Sequence, residues 1–202
     1  MVIKALDDLE NALKKPGKLD IIGGMAVEMI RSKIHKGDGF EPLSPATAAY
    51  RGAGRPLQDT SGLRDSITFK EIDDRTVSIG TNKPYAAIQH NGGVIRAKNK
   101  KWLTIPAADT RDWQRKYGYK TSDLIQNMRA AGYKVFIPKD KRIIVWQEKR
   151  RSRNAEGKLE YKLHILFYLK KSVEIPARPF FYLNDHDMDL LMKEAGSALE
   201  QL

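Results

Sequence analysis

The residues able to do chemistry are few and scattered. Four histidines, His35, His90, His164 and His186, lie far apart, and none stands at the spacing of a metal-ligand motif. The densest candidate is Asp185-His186-Asp187-Met188-Asp189, where carboxylates and an imidazole could gather a divalent cation for hydrolysis. The same run reads better as a helix start, where acids complement the dipole and accept from unpaired N–H groups. Gly52-Ala53-Gly54 is a lone GxG with no strand ahead of it and no third glycine, too little for a dinucleotide site. No Walker-type phosphate loop and no GxSxG element is present, and His90-Asn91 lacks the second histidine that a metal-dependent nuclease motif would need. The expectation is therefore a non-enzymatic protein with no catalytic residue, no metal and no cofactor.

Charge is the strongest compositional signal. The 202 residues hold 36 Lys+Arg against 25 Asp+Glu, a formal net charge of +11, and the sequence pI is about 9.7. Such a balance fits contact with nucleic acid or with an acidic protein surface, and also plain solubility. Two clusters carry it. Arg96, Lys98, Lys100 and Lys101 stand beside Trp102, and Lys139, Lys141, Arg142, Lys149, Arg150, Arg151 and Arg153 follow later, diluted by Asp140 and Glu148. Basic side chains interleaved with aromatics can hold a phosphate backbone. A solvated hairpin arm, or a surface facing an acidic neighbour, accounts for the same residues, since charge runs carry no partner identity. The absence of cysteine removes disulfides and thiolate metal sites. No apolar run approaches the ~20 residues of a bilayer span, and the N-terminus reads as an amphipathic helix rather than a signal peptide.

The elements that must position these groups follow from periodicity. Leu6, Leu9 and Leu13 predict a first helix, ended by Pro16-Gly17. A second runs from about Leu19, with Ile22, Met25, Met29 and Ile30 on one face and Arg31 and Lys33 off it, and ends at His35-Lys36-Gly37. Ser44-Pro45 opens a short helix. Ser66–Lys70 and Arg75–Ile79 alternate around Asp73-Asp74 and predict an antiparallel hairpin. After a turn at Asn82-Lys83-Pro84, Tyr85–His90 is short and either helical or extended. Strands are expected at Trp102–Pro106, Tyr133–Ile137 and Arg142–Gln147, a helix at Ser122–Ala131, a hairpin tip at Asn154–Gly157 and a buried strand at Tyr161–Leu169. A final helix, Asp185–Leu199, is capped by Asn184 or Asp185 and carries a stripe of Met188, Leu191, Ala195 and Leu199. No internal repeat or low-complexity tract interrupts the pattern. The fold class is α+β: one largely antiparallel sheet, with N-terminal helices and a C-terminal helix packed on it.

Four blocks then carry a resemblance. They are Phe40-Glu41-Pro42-Leu43-Ser44-Pro45-Ala46-Thr47; Leu57 to Ile67, containing Thr60, Gly62 and Leu63; Val77 to Gly93, containing Gly80, Tyr85, Gly92 and Gly93; and Ile175-Pro176-Ala177-Arg178-Pro179-Phe180-Phe181. In order and spacing they resemble the phage virion morphogenesis family, also called tail-completion proteins. The likeness covers roughly residues 19–95 and 172–202. Ser61 is an extra residue between the threonine and glycine of the second block, and 96–171 is longer than the family's usual connection. The blocks also have physical readings. Gly62 and Gly80 mark places where backbone turns or approaches closely, and Asn91-Gly92-Gly93 a tight turn. Pro84 and Tyr85 pack a loop on the sheet, and Arg178 can pair with a carboxylate or a subunit edge, a structural ion pair being favoured.

The resemblance implies a single domain over 1–202, with 96–171 as a strand-rich basic insertion or arm. It implies a structural protein of a bacteriophage or prophage that acts in tail completion or head–tail joining as a subunit of a homo-oligomeric ring. Its partners would be itself and other tail or neck proteins, with contact to phage DNA open and no membrane involved. Its place would be the bacterial host cytoplasm during assembly and then the tail or neck of the virion. The alternative is a basic nucleic-acid-binding accessory protein.

Overall fold

The computed structural model describes residues 18–37, 39–52, 54–153 and 159–200. The expected first helix around Leu6, Leu9 and Leu13 and the hairpin tip at Asn154–Gly157 lie outside these residues. The chain divides into two compact units, one made of Met1–Pro42, Arg55–Gly93 and Pro176–Leu202, the other of Leu43–Gly54 and Val94–Ile175.

In the first unit, helix α1 (Lys18–Lys36) ends where Lys33, His35 and Lys36 meet the negative end of the dipole and Gly37 turns left-handed at φ 67°. Its buried stripe is Leu19, Ala26, Val27, Ile30 and Ile34. That stripe is rotated from the expected face: Ile22, Met25 and Met29 are only half-buried, and of the four only Ile30 lies in the core. The cause is Gly23, invisible to a hydrophobic count, which is itself buried and lets the Phe69 ring lie against the helix backbone. A Cβ at position 23 would stand 2.7 Å from Phe69 Cγ, whereas one on Gly24 meets nothing within 4 Å among the described residues. Gly23→Ala should therefore destabilise by about 1 kcal/mol, overpacking exceeding the gain in helix propensity. Gly24→Ala should stabilise by about 1 kcal/mol. Chemical denaturation of the two variants reads the opposite signs.

Against α1 packs the hairpin of β1 (Ile67–Asp73) and β2 (Thr76–Thr81), antiparallel from Ile67↔Thr81 to Asp73↔Thr76. Asp73 Oδ1 accepts from Arg75 N at 2.9 Å and closes the turn. Val27, Ile30, Ile34, Leu63, Ile67, Ala86 and Phe180 form this unit's core, joined by Phe40, Leu57, Phe69, Ile79, Phe181 and Leu183. Short helices α3 (Gly62–Asp65) and α4 (Ala86–Asn91) and the terminal α7 (Asp185–Glu200) complete it.

The second unit contains α2 (Pro45–Arg51), capped as expected by Ser44, whose side chain accepts from Thr47 N at 3.3 Å. Its main sheet has the order β4-β7-β6-β5, from β4 (Leu103–Pro106), β5 (Lys134–Phe136), β6 (Ile143–Arg153) and β7 (Leu159–Lys170), with all neighbours antiparallel. Helices α5 (Thr110–Tyr117) and α6 (Thr121–Ala130) accompany it. Its core is Leu124, Met128, Val135, Ile144, Trp146, Leu166, Phe167 and Leu169. The register jumps from Ile144↔Phe167 to Val145↔Ile165, so Leu166 is an extra residue on β7. The Leu166 carbonyl accepts instead from Ala107 N at 2.8 Å and from Thr110 Oγ1, which is fully buried at the start of α5. The bulge thus supplies the anchor for the helix.

The α+β class is as expected, but among the described residues the strands form three sheets rather than one: β1-β2, β3 (Gly93–Arg96) with β8 (Ser172–Ile175), and the four-stranded sheet. The β3-β8 pair was not foreseen, nor was α5. β7 is not buried throughout: Tyr161 and Leu163 are exposed and burial is complete only at Leu166 and Phe167. In α7 the stripe is carried by Leu191 and Ala195, while Met188 is exposed. Position 199 carries no described side chain.

Candidate functional site

Residues of the first, third and fourth blocks meet in the first unit on one buried cation. Arg178 is 6% exposed. Its Nε donates to the Glu41 carbonyl at 2.7 Å and a terminal nitrogen donates to the Pro42 carbonyl at 3.0 Å. The other terminal nitrogen reaches Gln89 Oε1 at 3.4 Å, and the Arg178 backbone N–H donates to Gln89 O at 3.0 Å. The expected structural ion pair is thus not what holds this side chain; its partners are carbonyl and amide oxygens. Two fixed backbone carbonyls and a side-chain amide oxygen, lying in different directions, suit the planar fork of a guanidinium. Burial pushes that guanidinium below its ordinary value, against which the Glu41 carboxylate acts.

The next residue of α4 continues the grip. His90 Nδ1 accepts from Phe180 N at 3.3 Å and Phe181 N at 3.2 Å, and its ring meets Phe180 edge-on at 5.4 Å. The helix Ala86–Asn91 therefore holds the returning segment 178–181 by three consecutive kinds of contact. Gln89 and His90 stood inside the third block, but nothing in their residue types announced this role. Beside the knot lies an open, mainly apolar cleft of about 290 Å³, lined by Ile79, Gly80, Thr81, Ala86, Ala87, His90, Asn91, Phe180 and Phe181.

The second block, with Arg55 just ahead of it, closes the end of α1. Gln58 Nε2 donates to the carbonyls of Ile34 (2.7 Å) and His35 (2.6 Å), and Arg55 donates to those of His35 and Lys36, both at 3.2 Å. These are carbonyls without partners inside the helix. Leu63 is buried in the core. The left-handed residue here is Ser61, at φ 57°, and neither Gly62 nor Gly80 has a positive φ or a close contact that demands glycine. Gly92 and Gly93 do turn, at φ 71° and 145°. Tyr85 does not pack as expected: it is 45% exposed, and Pro84 is exposed too. Pro42, Thr60, Pro176 and Pro179 are exposed, Leu43 is half-buried, and Phe180 is 1% exposed.

Within the acidic run at the start of α7, Asp187 is committed to the fold. Asn184 Oδ1 accepts from Asp187 N at 2.8 Å while Asp187 Oδ2 accepts from Asn184 N at 2.9 Å, a reciprocal cap. Lys33 reaches the same Oδ2, donates to Tyr182 O at 3.0 Å and lies 4.0 Å from the Tyr182 ring centroid. No group of three or more metal-ligating side chains is present among the described residues. The Lys33 hydrogen bond, then that from Asn184, holds the Asp187 carboxyl below its ordinary value. A depressed carboxylate stabilises the fold above the unfolded-state value, and that contribution disappears as pH falls through the folded value. Acid titration of stability should thus show a steeper loss for the parent than for Asp187→Asn in the range below about pH 4.

In the second unit, Lys139, Lys141 and Arg142 are exposed before β6, with Asp140 left-handed at φ 59°. β6 itself runs on through Lys149, Arg150, Arg151 and Arg153, whose side chains lie outside what the structure describes. Arg142 stands over Trp102, 5.0 Å from the ring centroid, beside the residues of the other basic cluster.

The model of the phage virion morphogenesis family matches residues 17–118, half of the chain. The match runs past Arg96 and ends before the fourth block. Over 54 residues the chain is 44% identical to the Mu-like prophage FluMu G protein 2 of Haemophilus influenzae. That stretch is 27% of this chain and 37% of the relative, so the chain spans little more than a third of it. No solved structure matches the chain.

Proposed function

The chain belongs to the phage virion morphogenesis family, and from that premise we propose that it is a tail-completion or head–tail joining subunit working as a homo-oligomeric ring. The observation that carries the reading is the convergence of the family blocks on Arg178. Three of the four sequence blocks meet there to fix a backbone shape, and the polar groups of Arg178, Glu41, Pro42 and Gln89 are used up by one another. A site of that kind preserves a surface for neighbours rather than a reaction. Rings with head-to-tail contacts need such a surface at both faces of each subunit. Exposed apolar side chains, among them Val94, Ile95, Met188, Leu190 and Met192, are available for burial against other subunits.

We take the second unit as an insertion within one family domain, and its β6–β7 hairpin as an arm that reaches a neighbouring subunit. The protein would be made in the host cytoplasm and end in the tail or neck of the particle. No helix among the described residues is long and apolar enough to cross a membrane. Light scattering over a concentration series tests self-assembly. Mass rising to a fixed multiple of the 22.9 kDa chain is expected; a monomer at every concentration would contradict the ring. Deleting residues 149–158 should leave folded protein that no longer assembles.

A further inference from the structure

The excess positive charge belongs to one unit alone. The second unit's segments hold 22 Lys+Arg against 8 Asp+Glu, and the first unit's hold 14 against 17. Within the second unit, cations from three places gather on one indole. Lys101 lies 5.9 Å, Arg142 5.0 Å and Lys171 5.9 Å from the Trp102 ring centroid. Their backbones are tied by the sheet: Arg142 O accepts from Leu169 N at 2.8 Å, Lys171 O from Ala97 N at 3.4 Å, and Leu103 pairs with Lys170. All three cations are exposed, and no carboxylate among the described residues pairs with them. Trp102 itself is half-buried against the core, so it acts as a fixed post.

We propose that this face, centred on Trp102, binds the phosphate backbone of duplex DNA through Lys101, Arg142 and Lys171. An exposed cation over a ring gains only about 0.5–1 kcal/mol, so the ring orders the three side chains without neutralising them. Three unneutralised cations held together are matched by a polyanion, whose condensed counterions they release on binding. A second copy of the chain is a poorer match: the first unit's negative excess is only three charges, all of it in Pro176–Leu202, where Asp187 is already paired with Lys33. The half-buried indole has little face left for stacking, so binding should be independent of sequence. The inference stands whether or not the chain forms a ring.

The test is fluorescence anisotropy of a labelled mixed-sequence duplex with the full chain over a salt series. The parent should bind with a steep log–log salt slope. Lys101→Gln/Arg142→Gln/Lys171→Gln should lower that slope by about 2–3 and weaken binding at least about tenfold at low salt. Lys70→Gln/Arg75→Gln/Lys193→Gln removes the same charge from the first unit and should change the slope by less than about 1. Trp102→Leu should weaken binding a few-fold with the slope kept. Circular dichroism confirms that each variant is folded. Absence of salt-dependent binding by the parent, equal losses in both triple variants, or equally tight binding to polyglutamate would each overturn the proposal.

Discussion

Replacing Arg178 with alanine is expected to lower the unfolding free energy by about 3 kcal/mol, the loss of charged hydrogen bonds together with the exposure of partnerless carbonyls. The side chain is 6% exposed, and its removal strands the carbonyls of Glu41 and Pro42. Water cannot replace it without opening the segment 176–181, because Phe180 lies in the core beside it. Arg178→Lys keeps the charge but offers a point donor to acceptors arranged for a fork, so about half the loss should remain. Urea denaturation of the two variants reads both magnitudes. A loss under about 0.5 kcal/mol for the alanine variant would mean that the knot is an exposed hydrogen bond of ordinary worth.

Phe167→Ala should be more costly, about 3–5 kcal/mol. The ring is fully buried at the centre of β7, where Phe167 faces Ile144 on β6 and Pro106 on β4. It is next to the bulge residue Leu166, whose carbonyl anchors the start of α5. The variant should thus lose order in the aromatic group where Trp113 stacks on Tyr117 and meets Trp146 edge-on, both at ring distances near 5 Å (5.5 and 5.0 Å). Denaturation followed by tryptophan fluorescence reports this directly.

Much of the secondary structure was legible because its signals are local. Alternation marked β1 and β2, Ser44-Pro45 marked α2, and Asn184 marked the start of α7. What was missed lacks such signals. The apolar contribution of α5 to the core rests on Trp113 and Tyr117, four residues apart, in a run otherwise of charged and polar residues. β3 and β8 have four residues each, and Val94 and Ile95 are exposed, so no burial pattern forms. On α1 the decisive residue is Gly23, which a hydrophobic count scores as nothing while it seats Phe69.

The candidate site was legible as motif but not as mechanism. The blocks that hold Pro42, Gly92 and Arg178 could be read off, yet Arg178 binds carbonyls 136 and 137 positions away, and any residue presents a carbonyl. The two basic clusters were likewise visible separately. That Arg142 of the second cluster reaches Trp102 beside the first depends on the β6–β7–β4 pairing, which no local pattern encodes.

The role in the particle is tested by electron microscopy of lysates from a phage whose copy of this gene carries an early stop codon. A tail-completion or head–tail joining subunit predicts filled heads and separate tails, with joined particles restored by the parent protein supplied from a plasmid and not by Arg178→Ala. Normal joined particles in the absence of the protein would contradict that role.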